Sequence, residues 1–163
     1  MRIISTPIDK EVIKSLTIGD TVLLSGKIYT ARDAAHKKIK EHFCSSGEML
    51  LKGQTIYYAG PCPKKPNEVI GSVGPTTSYR MDAYSELFLS NGCLVSIGKG
   101  KRSDEVIELI KKYGGVHFEA IGGAGAYYKD CVKKAEAVYF EELGAEAVYC
   151  LTVENFPVIV GIV

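Results

Sequence analysis

Gly71-Ser72-Val73-Gly74-Pro75-Thr76-Thr77-Ser78-Tyr79-Arg80-Met81-Asp82 is the stretch in which the chain leaves an apolar run, turns sharply, and enters a helix predicted over Arg80–Leu89. Two glycines and a proline supply the turn, and three hydroxyls stand at the helix start. Met81, Tyr84 and Phe88 mark one face of that helix, and Asn91-Gly92 stops it with residues suited to a left-handed cap. Arg80 is placed in the first helical turn, where the backbone dipole favours an anion and disfavours a cation. A guanidinium beside unpaired N–H groups is tolerated when an anion neutralises both, so the segment is read as an anion-binding corner.

Working outward, the same unit of apolar strand, glycine corner and helix recurs. Thr21-Val22-Leu23-Leu24-Ser25 is a strand and Gly26 opens its corner; a helix over residues 31–43 follows, with Ala35, Ile39 and Phe43 on one face and Thr30 with Asp33 as a capping box. Arg32 again falls in the first turn, and His36 one turn later is assigned to the surface. A third corner, Gly98-Lys99-Gly100-Lys101-Arg102, follows the strand Cys93–Ile97 and precedes a helix capped by Ser103 and ended by Gly114-Gly115. Lys99 lies between glycines that allow close backbone approach to a ligand, whereas Lys101 and Arg102 are read as solvated surface charges.

The remaining predicted elements are strands at Arg2–Ser5, Gln54–Ala59, Val116–Ile121, Val138–Phe140, Ala147–Val153 and Val158–Val163, helical turns over Glu11–Leu16, and a helix over Ala126–Glu136. The alternation specifies an α/β fold with a partly parallel sheet and helices on its faces. Corners of this kind gather at one edge of such a sheet, where ligands bind. No repeat or linker divides residues 1–163, which read as a single domain.

Composition narrows the function classes. The 20 basic and 19 acidic residues leave a formal charge of +1, so nucleic acid and anionic membrane surfaces are not indicated partners. There is no run of 18 apolar residues and no signal-peptide core, which places the protein in the cytoplasm. Cys44, Cys62, Cys93, Cys131 and Cys150 are widely spaced with no C-x-x-C pair, and His36 and His42 lack helical metal spacing, so five reduced thiols and no metal ligands are expected. Gly122-Gly123-Ala124-Gly125 fails the dinucleotide pattern at Tyr128, and Gly98-Lys99 fails the phosphate-loop pattern at Cys93 and Gly100. What remains is Arg32, Arg80 and Lys99 at three corners, with Thr76 and Thr77 beside one of them. Two arginines and a lysine suit a small dicarboxylate, with phosphate the alternative. No Ser-His-Asp motif or carboxylate pair accompanies them, so the chain reads as half of an active site.

In order along the chain, Gly26-Lys27-Ile28-Tyr29-Thr30-Ala31-Arg32-Asp33-Ala34-Ala35-His36, Tyr58-Ala59-Gly60-Pro61, Gly71 to Asp82, Gly98-Lys99-Gly100, and Glu146-Ala147-Val148 through Phe156-Pro157 resemble the β subunit of class I iron–sulfur fumarate hydratase. The L-tartrate dehydratase β subunit and the C-terminal domain of single-chain class I fumarases share the pattern. The resemblance implies a swivelling β/β/α domain docked on an α subunit that carries a 4Fe-4S cluster through its own cysteines. It implies a hydro-lyase of the tricarboxylic acid cycle, active on malate and fumarate only with that α subunit and assembled as an oligomer of the heterodimer. Arg32, Arg80 and Lys99 would hold substrate carboxylates, Thr76 would transfer the proton, and Thr77 would be its hydrogen-bonding neighbour. Tartrate dehydratase and a non-catalytic anion-binding module are the rival readings.

Overall fold

A computed structural model describes residues 1–163. Seven strands form one sheet: β1 (Arg2–Ser5), β2 (Thr21–Thr30), β3 (Thr55–Tyr57), β4 (Val95–Gly98), β5 (Val116–Glu119), β6 (Val132–Tyr139) and β7 (Val148–Ile162). Their order is β1-β2-β3-β4-β5-β7-β6, and β2 also pairs with β7. That extra pairing closes β2, β3, β4, β5 and β7 into a ring. β1 to β5 run parallel along it, and β7 returns antiparallel to β2, β5 and β6. The partly parallel α/β architecture expected from the sequence is present.

Two long strands make the closure possible, because each serves two neighbours along its length. β2 meets β1 through Val22–Ser25 and β3 through Tyr29 and Thr30, while β7 meets β6 through its first half and β5 through its second. The sequence reading ends the first of these strands at Ser25, with Gly26 as a corner. Instead β2 continues through Gly26, which takes φ +120° at a shift in register, and the corner lies at Ala31-Arg32. A side chain at Gly26 would collide with Thr6, so glycine is required there by the approach of the segment after β1.

β7 likewise replaces two expected strands with one of 15 residues. Asn155 adopts φ +51° and donates its N–H to Ser25 Oγ at 3.0 Å, so the strand bends without ending. Pro157 has no N–H to offer, and its carbonyl accepts the Tyr128 hydroxyl at 2.9 Å. The helix expected over Ala126–Glu136 is also corrected. It stops at Cys131, and the segment after it becomes β6, because pairing with β7 (Ala135 opposite Leu151, Glu136 opposite Cys150) outweighs local helix propensity.

The helices are α1 (Lys10–Lys14), α2 (Asp33–Ser46), α3 (Asp82–Ser90), α4 (Asp104–Tyr113) and α5 (Gly125–Cys131). The main core lies within the ring and under α1 and α5, where Phe156 stacks on Tyr128 at 4.3 Å and meets the edge of Tyr57 at 5.2 Å. A second core joins α2 and α3 to the other face of β3 through Ala35, Ile39, Ile56, Met81 and Phe88. α4 is seated by Val106 and Ile110 against Leu89. Ser103 caps it through the Val106 N–H and Gly114 ends it in the left-handed conformation, as its sequence predicts.

Candidate active site

The parallel strands β2, β3 and β4 deliver their carboxyl ends to one edge of the sheet, where the cation-bearing corners lie. After β2, the Ala31 N–H bonds the Tyr57 carbonyl at 2.9 Å and Arg32 becomes the N-cap of α2. Arg32 therefore precedes the first turn in which the sequence placed it. Thr30 does not form the expected capping box; its buried hydroxyl accepts the Tyr149 N–H at 3.1 Å. The cap comes from a distant segment, for Glu146 Oε1 accepts the Ala34 N–H at 3.1 Å and lies 3.6 Å from Arg32 Nε.

After β3, the Tyr58 carbonyl accepts the Thr76 N–H at 2.6 Å, which anchors the returning loop. Thr77 then pairs with Lys99 as a parallel bridge, and the Ser78 N–H bonds the Lys99 carbonyl at 2.8 Å. Glycine at 98 permits this approach, since a β-carbon there would collide with Ser78 Oγ and lie 2.8 Å from the Tyr58 ring. Lys99 is thus tied to Thr76-Thr77, and its side chain passes the Gly122 backbone. Arg80 lies in a 3₁₀ turn, Ser78–Met81, and Asp82 opens α3. The expected helix start is corrected by two residues. A cation at the carboxyl end of that turn is electrostatically favoured, so the dipole conflict that first marked Arg80 is absent.

Arg80 and Arg32 nevertheless converge. Arg80 Nη2 lies 2.8 Å from Asp33 Oδ2, and Arg32 Nε lies 3.7 Å from the same oxygen. Arg32 Nε and Asp33 Oδ2 are both buried without an aligned hydrogen bond, although the Arg80–Asp33 distance is short; the charges meet but the N–H groups point elsewhere. A buried donor without an acceptor is costly, so this corner holds a guanidinium that the chain itself leaves unsatisfied. Thr76 is half-buried and Thr77 exposed, and neither hydroxyl bonds a basic side chain of this chain.

Two residues assigned to the surface are buried beneath this edge. His36 is only 2% exposed, stacked on Phe88 at 4.8 Å, with Nδ1 3.0 Å from the Arg32 carbonyl. Burial, reinforced by the Arg102 guanidinium, lowers its pKa to about 4 against the opposing Arg32 hydrogen bond, so the ring is neutral and Nδ1 donates. Arg102 is 7% exposed. Its Nε donates to Asp82 Oδ1, Nη1 to the Tyr58 hydroxyl and Nη2 to Ser85 Oγ, each at 2.9 Å. Neither role was legible locally, because every partner except the Arg32 carbonyl is remote in sequence. His117, also unflagged, lies between Ser96 Oγ at 2.7 Å and Ser78 Oγ at 3.2 Å, and burial followed by the Arg102 charge holds its pKa well below the usual value.

The donors of this chain do not fit an iron–sulfur cluster. Cys44 and Cys62 are exposed, Cys93, Cys131 and Cys150 are buried, and no three His, Cys, Asp or Glu side chains converge. A groove of about 340 Å³ lies between the Pro61–Lys64 loop and β6, but none of Arg32, Thr76, Arg80 and Lys99 lines it. These four residues lie at the open sheet edge instead.

Residues 3–163 match the family model described as Fumarase C-terminus. The chain is 43% identical to fumarate hydratase 2 of Leishmania major over 158 residues, covering 93% of this chain and 28% of that protein. It is 38% identical to the aerobic class I fumarate hydratase of Escherichia coli K12 over 156 residues, covering 91% and 28% respectively. It is 44% identical over 160 residues to a provisionally named L(+)-tartrate dehydratase subunit beta of Methanocaldococcus jannaschii, covering 93% of this chain and 82% of that one. The chain therefore spans less than a third of the fumarate hydratases it matches, and most of the tartrate dehydratase subunit.

Proposed function

This chain belongs to the fumarase C-terminus family, and from that premise we propose that it is the β subunit of a hydro-lyase that interconverts malate and fumarate with water. In this reading residues 1–163 act as one domain, and the site is completed by an α subunit that carries the 4Fe-4S cluster. The convergence of Arg32 and Arg80 on one carboxylate oxygen, with Arg32 Nε buried and lacking an aligned acceptor, is the observation that carries the proposal. Two guanidinium groups already disposed about a carboxylate are suited to grip one belonging to a substrate.

Arg32 and Arg80 bind one end of a four-carbon diacid and Lys99, held beside Thr76, attracts the other. In hydration, the Thr76 hydroxyl gives its proton to the carbon where the new C–H bond forms; in dehydration its oxygen takes that proton back. A threonine hydroxyl is a weak base, so a carboxylate of the partner subunit, with the cations nearby, must alter its proton affinity. Thr77 hydrogen-bonds alongside and orients it.

A second reading rests on the 44% identity to the L(+)-tartrate dehydratase subunit beta: the same machinery acting on tartrate. The enzyme is assigned to the cytoplasm, as an oligomer of the heterodimer working in the tricarboxylic acid cycle. No helix is long and apolar enough to cross a membrane.

Anaerobic purification of the chain with and without a co-expressed α subunit tests the proposal. Hydration of fumarate by the complex alone is the expected result. Activity on tartrate alone selects the second reading, and tight dicarboxylate binding by the isolated chain, with no turnover in the complex, leaves an anion-binding module.

A further inference from the structure

Beneath the open edge, one buried cation joins the three segments that carry the anion-facing residues. Arg102 stands three residues after Lys99, in the corner between β4 and α4. Its Nε and the Ser103 N–H donate to the two oxygens of Asp82, at 2.9 and 3.0 Å, and Asp82 stands two residues after Arg80. Its Nη2 donates to Ser85 Oγ, whose hydroxyl donates to the Met81 carbonyl at 3.2 Å, next in the chain to Arg80. Its Nη1 donates to the Tyr58 hydroxyl, and the carbonyl of Tyr58 anchors the Thr76 N–H. All three guanidinium nitrogens are engaged, and the side chain is 2% exposed.

We propose that Arg102 is a positioning residue that sets the spacing between Arg80 and Lys99, and with it the length of diacid the site accepts. It touches no substrate, and the proposal rests on the dicarboxylate reading above. A guanidinium suits this task because its planar fork fixes three directions at once, whereas an ammonium on a flexible stem fixes none. The surroundings keep the fork intact. His36 and His117, the two imidazoles near Arg102, are buried and neutral, so the charge facing the guanidinium is the Asp82 carboxylate. Loss of the fork leaves the start of α3 held to the β4–α4 corner by the Ser103–Asp82 bond and the Thr77–Lys99 bridge alone, so the spacing between the Arg80 and Lys99 side chains loosens while the strands remain paired.

The test uses the complex of this chain with its α subunit. Arg102→Lys keeps the charge and removes the fork; Tyr58→Phe and Ser85→Ala each remove one acceptor. Kinetics on fumarate and malate are combined with inhibition constants for malonate, succinate and glutarate, which differ only in the distance between their carboxylates. Arg102→Lys is expected to melt cooperatively and to lower kcat/KM by about tenfold to a hundredfold, the scale of a misplaced binding group. The loss falls on KM more than kcat, and the ratios of inhibition among the three diacids change. A purely structural residue would reduce the active fraction and leave KM and those ratios untouched; that result, or wild-type kinetics, overturns the proposal. If Arg102→Lys does not fold, the two acceptor variants decide by the same ratios. A wild-type complex that neither hydrates fumarate nor binds the diacids overturns the functional reading itself and this proposal with it, a failure visible before any variant is made.

Discussion

Arg80 is half-exposed and faces Asp33 with donors left unaligned, which is the condition of a side chain able to exchange a protein carboxylate for a substrate one. Arg80→Ala in the assembled complex is expected to lower kcat/KM by about a hundredfold, measured by steady-state hydration of fumarate. Thr76→Val preserves shape and removes the hydroxyl, so turnover should fall by at least about a hundredfold with KM little changed. The same pattern from Thr77→Val instead reverses the two roles. His36 sets a pH limit on the fold. Between about pH 6.5, where a free imidazole takes up a proton, and about 4, where His36 does so in the fold, the unfolded chain binds more protons than the native one. Stability is complete above that interval and falls as the pH drops through it, by on the order of 3 kcal/mol for a shift of this size. Urea midpoints measured from pH 7.5 to 4 should show this decline, and His117 adds to it in the same direction. Arg80 and Lys99 stand beside glycine and proline corners that the sequence marks, whereas Arg32 follows a strand that runs on past the glycine expected to end it. Arg102 and His36 were not legible, because burial of a charged or polar side chain is decided by partners such as Asp82, Tyr58 and Phe88 that lie on other elements.

α2 shows how an element can borrow its terminus from elsewhere. Its own N-cap, Arg32, supplies no side-chain bond, and Glu146 from the Glu141–Glu146 turn supplies one across the molecule. Glu146→Ala is expected to cost about 1 kcal/mol, the usual worth of a cap, and to lower Tm by about 2–4 °C in thermal denaturation. Glu146→Gln keeps an acceptor oxygen and should recover most of that loss. If it does not, the ion pair with Arg32 is the contribution that matters and the cap is secondary. At this scale the strands of the parallel half were readable from apolar runs bounded by glycine. β6 was not, since Lys134, Ala135, Glu136 and Ala137 carry no strong strand preference and take strand geometry from β7.

Closure of the ring is the property of the whole molecule, and the Tyr57–Phe156–Tyr128 cluster fills its interior where β2 and β7 cross. Phe156→Ala should destabilise the fold by about 3–5 kcal/mol, read as a shift in the denaturant midpoint at unchanged slope. A loss below about 1 kcal/mol would mean that the ring interior is not where stability is concentrated. The same closure serves the site. β2, β3 and β4 end together because they run parallel, and that brings Arg32, Thr76 and Lys99 from distant stretches to one edge.

The amino-acid sequence alone determined the alternation of strand, corner and helix, the capping of α4, the five unpaired thiols, and the identity of the cations at the corners. These follow from short-range rules: apolar periodicity, the conformational freedom of glycine, and the hydrogen bonds of a serine cap. Tertiary structure alone decided that Gly26 and Asn155 bend long strands instead of ending them, and that Glu146 caps α2. It also decided that Arg102 is buried and that Arg32 and Arg80 share one carboxylate oxygen. Each of these depends on a partner twenty or more residues away or on a register set by pairing, and the free energy of such contacts exists only once the sheet has closed.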